Sequence, residues 1–259
     1  MKFIDVHCHI NGEDYGDVAE LLKRINSAGI RKIISVGFDL PSSRYCKALA
    51  EENSFVYFTA GLHPTELKNY RAEDLAEVEK LLKHKKCVAL GEIGLDYHYP
   101  DTNKSLQREV FLSQLDIAVS TGMPVQIHSR DCAEDMLEIL KEYAPRLTGG
   151  AMLHCYSHST ELAAEFEKLG LYFSFGGTST YSGSKKAKRT IAALPLKRIM
   201  TETDSPYLPP KSKYGAFPNT PESIVEIAEN IAKIKGLSLS ETVEAVWNTA
   251  HALFTKLSN

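Results

Sequence analysis

The sequence predicts a closed (β/α)8 barrel of the TIM class, in one domain over residues 1–259. Three observations carry this. Apolar runs rich in β-branched residues occur eight times, and amphipathic helical segments alternate with them. The chain of 259 residues matches the roughly 250 that such a barrel needs. No GxGxxG follows the first run, so the fingerprint of an open dinucleotide-binding sheet is missing.

The first run is FIDVHCH (3–9). Side chains alternate along a strand, so Asp5, His7 and His9 are expected on one face and Val6 and Cys8 on the other. The helical segment DVAELLKRINSAG (17–29) carries apolar residues at i, i+3, i+4 and i+7 and ends at a glycine. Strands KIISVGF (32–38) and FVYFTAGL (55–62) follow, then the helical DLAEVEKLLKHKK (74–86) and the strand VALGEIGL (88–95). PVQIHS (124–129), AMLHCY (151–156), LYFSFGG (171–177) and RIMTETD (198–204) complete the set. Strand–helix alternation of this kind implies a parallel sheet, and eight units close it. The irregular stretch 205–223 follows the eighth strand, which in a barrel sets it over the active-site face. Thr220 and Pro221 read as the cap and first residue of a helix, and Ser238 with Glu241 as a capping box opening a last helix through Phe254.

The composition, 43% hydrophobic and 24% charged, is that of a globular chain and excludes disorder. No apolar run approaches the roughly 18 residues of a membrane span, and Met1–Ile10 is too short and polar for a secretory signal. The chain therefore reads as cytoplasmic. Five cysteines without CxxC spacing indicate neither a disulfide framework nor a zinc ribbon. A net charge of −3 gives no global attraction to nucleic acid. No obligate protein partner is evident.

Metal-ligating residue types recur at the predicted C-terminal strand ends: His7 and His9 on the first strand, Glu92 on the fourth, His128 on the fifth, His154 on the sixth, Asp204 on the eighth. One strand–helix unit separates Glu92 from His128 and His128 from His154, and two separate His154 from Asp204. A lone histidine at a strand end is more often a hydrogen-bonded core residue. Six ligands at equivalent positions exceed what one tetrahedral ion uses, so two divalent ions per chain, with one carboxylate between them, fit better.

The motifs DVHCH, GEIGLDYH (91–98), VQIHSR (125–130), LHCYS (153–157) and ETDSPYLPP (202–210) resemble, in order and over nearly the whole chain, the TatD family of metal-dependent deoxyribonucleases among the amidohydrolase-type barrels. The resemblance implies that His7, His9, Glu92 and Asp204 hold one ion and that Glu92, His128 and His154 hold a second, with Glu92 as the bridge. It implies Asp204 as ligand and general base, and His63, in GLHP (61–64), near the substrate phosphate. Arg130 could pair with a phosphate or with Asp131 or Glu134. The expected activity is 3′→5′ hydrolysis of phosphodiester bonds in single-stranded or frayed DNA, with zinc, manganese or magnesium. The alternatives are an amidohydrolase or esterase acting on a small molecule with the same ions, and a non-catalytic binding protein, which would lack a ligand or the base. Two positions depart from the family pattern. His158 stands where HCFSG is usual, adding a substrate-facing candidate. Tyr214 to Pro221 replace an Arg-Gly-Lys-x-Asn-Glu-Pro pattern, leaving Lys211 and Lys213 as the local cations.

Overall fold

In the computed structural model, which describes residues 1–257, eight parallel strands pair in sequence order. They are β1 (Phe3–Cys8), β2 (Ile30–Val36), β3 (Val56–Ala60), β4 (Cys87–Asp96), β5 (Val125–Arg130), β6 (Ala151–Leu153), β7 (Tyr172–Phe175) and β8 (Ile199–Thr201). After the short α1 (Gly12–Tyr15), the helices are α2 (Val18–Ser27), α3 (Leu40–Glu52), α4 (Ala72–Leu82), α5 (Lys104–Thr121), α6 (Ala133–Tyr143), α7 (Thr160–Lys168), α8 (Lys185–Ala193), α9 (Ile224–Lys235) and α10 (Leu239–Leu253). The predicted (β/α)8 barrel is the fold observed.

Local chemistry starts and stops these helices. Asp39 caps α3 by accepting from Ser42 N (2.8 Å), and Ser238 and Glu241 form the predicted capping box of α10. Gly122 and Gly236 end α5 and α9 in the left-handed conformation. Thr220 departs from expectation: its side chain caps nothing, Pro221–Ser223 form a 3₁₀ turn, and α9 begins at Ile224.

Two apolar layers hold the barrel. Inside, Ile4, Val6, Ile34, Val36, Val88, Met152 and Met200 pack together, and α10 closes one end with Leu253 and Phe254. Outside, Cys8, Ile33, Phe58, Leu90, Ile127 and Phe173 face the helices. Val6 is thus in the inner layer and Cys8 in the outer, so the expected sharing of one face by this pair fails. The cause is a register shift between Asp5 and Cys8, where β1 spends one residue more than β2. The same shift turns His7 and His9 to the mouth and leaves Asp5 accepting from Thr203 N (3.0 Å) and Thr203 Oγ1 (2.5 Å).

The seam between β8 and β1 is closed by bonds from the end of β8 and the chain just beyond it. Asp204 N donates to His7 O (3.0 Å), His9 N donates to Ser205 O (2.7 Å), and Thr201 Oγ1 donates to Ile4 O (3.0 Å). The predicted eighth strand, 198–204, ends at Thr201, and the predicted sixth, 151–156, at Leu153. His154 and Asp204 therefore sit just past their strands, Asp204 with φ 52°.

A candidate binuclear metal centre

Five strands or their immediate extensions, β1, β4, β5, β6 and β8, deliver the six predicted ligands to one mouth. Glu92 is carried by a second register shift, between Leu90 and Ile93 on β4. Two glycines make room there: a Cβ on Gly91 would lie 2.8 Å from Gln126 Cβ, and one on Gly94, at φ 148°, would lie 2.0 Å from His128 O.

Glu92 is buried, and its two oxygens face different partners. Oε1 is 2.6 Å from His154 Nε2, 2.9 Å from His128 Nδ1 and 3.4 Å from His63 Nε2. Oε2 is 3.4 Å from His7 Nε2 and 3.7 Å from His9 Nε2. Asp204 Oδ1 completes the second group, 3.6 Å from His7 Nε2 and 3.4 Å from His9 Nε2. All six sequence-predicted ligands are thus brought together.

The hydrogen-bond network shows what this donor set fits. His9 Nδ1 lies 3.1 Å from Val36 O, which can only accept, so Nδ1 carries the proton and a neutral ring turns its Nε2 lone pair inward. Gln126 Nε2 donates to Val6 O (2.9 Å), which leaves Gln126 Oε1 to accept from His7 Nδ1 (2.9 Å) with the same result. The two Nε2 atoms lie 3.3 Å apart beside two carboxylates. Four acceptors converge with no donor among them, an arrangement that a cation satisfies. His128 Nε2 is likewise held by Asp96 Oδ2 (3.0 Å), and His154 Nδ1 faces Glu202 Oε2 at 3.8 Å.

Electrostatics agree. Burial opposes ionisation of Glu92, but the surrounding imidazoles, His154 first among them, outweigh it and hold the carboxyl well below its usual range. Burial likewise opposes Asp204, and the His9 hydrogen bond with nearby His7 and His154 lowers it. His154 is pushed well above the ordinary histidine value because Glu92 and Glu202 overcome its burial.

The remaining sequence candidates lie around this cluster. His63 lines the mouth cavity of about 220 Å³ together with Phe38, Thr65, Glu66 and Tyr207. Arg130 reaches outward, 4.0 Å from Asp96 and over the Tyr99 ring, with neither Asp131 nor Glu134 as its ion-pair partner. His158 bonds Ser129 Oγ (2.8 Å) beyond the cavity lining, its basicity lowered by burial. Gln126, Asp96 and Glu202, which hold or face ligand rings, were not singled out by sequence. Gln126 and Glu202 each stand two residues before a ligand, where strand periodicity offered the signal.

The profile of a family described as TatD related DNase matches residues 4–255. The chain belongs to the TatD family. It is 38% identical over 251 residues to the Bacillus subtilis protein YabD, covering 96% of this chain and 98% of that one. It is 33% identical over 258 residues to Escherichia coli YcfH, covering 98% and 96%. Both TatD relatives are described as uncharacterized metal-dependent hydrolases. The crystal structure of the TatD homologue YjjV from Escherichia coli K12 superposes with a TM-score of 0.91 at 32% identity, covering 98% of each chain.

Proposed function

We propose that this TatD-family chain is a divalent-metal-dependent hydrolase that shortens single-stranded or frayed DNA from the 3′ end. The observation that carries this reading is the division of Glu92 between two imidazole groups, Oε1 toward His128 and His154 and Oε2 toward His7 and His9. In this reading His7, His9, Glu92 and Asp204 hold one ion, and Glu92, His128 and His154 hold a second. Two such ions supply Lewis acidity and acidify a water. The imidazole-rich donor set suits zinc or manganese, and phosphodiester chemistry also suits magnesium.

The chain's own groups do the rest. Asp204, ionised at neutral pH, accepts the proton of the attacking water. Burial keeps His63 neutral, so its ring orients a non-bridging phosphate oxygen as a hydrogen-bond donor. Arg130 and His158 take phosphates farther along the β5–β6 rim. The small mouth favours a strand end over an intact duplex, and the name of the matching family supports DNA as the substrate.

End-labelled single-stranded DNA with a free or blocked 3′ end tests this. Stepwise shortening that stops at the blocked end is expected. No cleavage with any divalent ion, alongside turnover of a lactone or cyclic amide, would overturn the nuclease reading in favour of a small-molecule hydrolase.

A further inference from the structure

Among the described residues, half of the exposed large hydrophobic side chains lie on one short segment beside the mouth: Tyr207, Leu208, Tyr214 and Phe217. Such clustering marks a surface that binds something. Tyr207, 53% exposed, is the inner member. It lines the mouth cavity with Asp204, and its ring centroid is 6.2 Å from that of His9. Phe217, 62% exposed, flanks it, the two ring centroids 6.3 Å apart at an interplanar angle of 41°.

The segment is irregular but held. Tyr207 N donates to Asp204 O (2.9 Å), and Asn219 Nδ2 donates to Tyr207 O (2.8 Å) and to Thr203 O (3.2 Å). Ser223 Oγ in turn donates to Asn219 Oδ1 (2.7 Å). The backbone that carries Tyr207 is therefore tied to Asp204, and Phe217 lies two residues before the anchored Asn219, so less backbone freedom is lost on binding. Between the two rings the chain carries the exposed Lys211 and Lys213.

We infer that Tyr207 and Phe217 form a stacking platform for an unpaired nucleobase next to the scissile linkage, with Lys211 and Lys213 as cations for the flanking phosphates. Exposed aromatic faces interleaved with lysines match a ligand that alternates flat π-faces with anionic links. A purely apolar ligand would leave the lysines unmatched, and a base-paired strand would not free a face to stack. Where the resembling family pattern carries basic residues, this segment carries Tyr214 and Phe217, so base stacking takes over part of the work of phosphate attraction. The inference rests on the DNA reading and adds how the strand is gripped.

The test is fluorescence anisotropy of metal-loaded protein with a 5′-labelled oligothymidylate whose 3′-terminal linkage is a phosphorothioate, and with the same strand made abasic at its two 3′-terminal positions. Phe217→Ala and Tyr207→Ala are expected to weaken binding of the intact strand by about 5- to 150-fold each and to leave binding of the abasic strand unchanged. Phe217→Trp is expected to restore it. Circular dichroism establishes that each variant is folded. Tight wild-type binding that neither substitution weakens overturns the platform and leaves the DNA reading standing. Absence of wild-type binding to the intact strand overturns both.

Discussion

Replacing Glu92 by glutamine keeps the side chain's shape and removes one charge from the centre of the mouth. Five imidazole nitrogens lie within 2.6–3.7 Å of its two oxygens. Glutamine supplies one acceptor oxygen and one NH2 group, and the NH2 has no lone pair for a cation. One of the two ligand groups therefore loses its carboxylate outright, and the other keeps a neutral oxygen. Breaking a buried charge pair by removing one partner costs about 3–5 kcal/mol. At about 1.4 kcal/mol per decade, that is a loss of about 10²- to 10⁴-fold in affinity for at least one ion. Calorimetric titration of metal-stripped protein with manganese or zinc measures it, with circular dichroism to establish the fold. His158→Ala is the comparison, because His158 bonds Ser129 and touches no ligand group, and it is expected to keep wild-type metal affinity. Full metal content in Glu92→Gln by elemental analysis would refute the shared-carboxylate reasoning.

Other consequences follow from the same geometry. Asp204→Asn keeps a ligand oxygen but cannot take a proton at neutral pH, so turnover should fall by about 10²- to 10⁴-fold while at least one ion stays bound; wild-type turnover in this variant would contradict the base assignment. Asp96→Asn weakens the partner that holds His128 Nε2 at 3.0 Å, and metal affinity should drop by about 10- to 100-fold, as read by the same titration. Burial opposes protonation of His9, His128 and His154, yet neighbouring carboxylates raise all three above the ordinary histidine value. Groups raised in this way hold a second ring proton more tightly than a free histidine does, and metal binding must compete with that proton. Affinity should climb with pH and level off above the raised values, and titration heats that do not depend on buffer ionisation would contradict proton release. Away from the site, Lys86 Nζ donates to Ala50 O and Asn53 O at 2.6 Å each around the C-terminal end of α3. Lys86→Met should cost about 2–4 kcal/mol in denaturant unfolding, and an unchanged midpoint would show that these bonds are replaced by water.

The strands were legible because a barrel strand buried on both faces reads as an apolar run, and the crossover helices because their apolar stripes repeat at helical spacing. The histidines and carboxylates were legible by their recurrence at strand ends, and their division between ions through resemblance. Ideal alternation hid how they reach the mouth. His7 is aimed by an extra residue in β1, Glu92 by a shift in β4 that Gly91 and Gly94 permit, and Asp204 by a positive φ beyond β8. Each is a departure from regular geometry that spacing alone does not encode. Asp96 was missed because its contact with the ring of His128 is visible only across strands, and Gln126 because periodicity sets it on the face of His128 without showing that it holds the ring of His7.

The central claim is that one buried carboxylate serves two ions. Native mass spectrometry of wild-type protein, stripped of metal and reloaded with zinc or manganese, tests it most directly. Two ions per chain, falling in Glu92→Gln, are predicted; a single ion per chain at saturation, or two that survive the loss of the Glu92 charge, would contradict it.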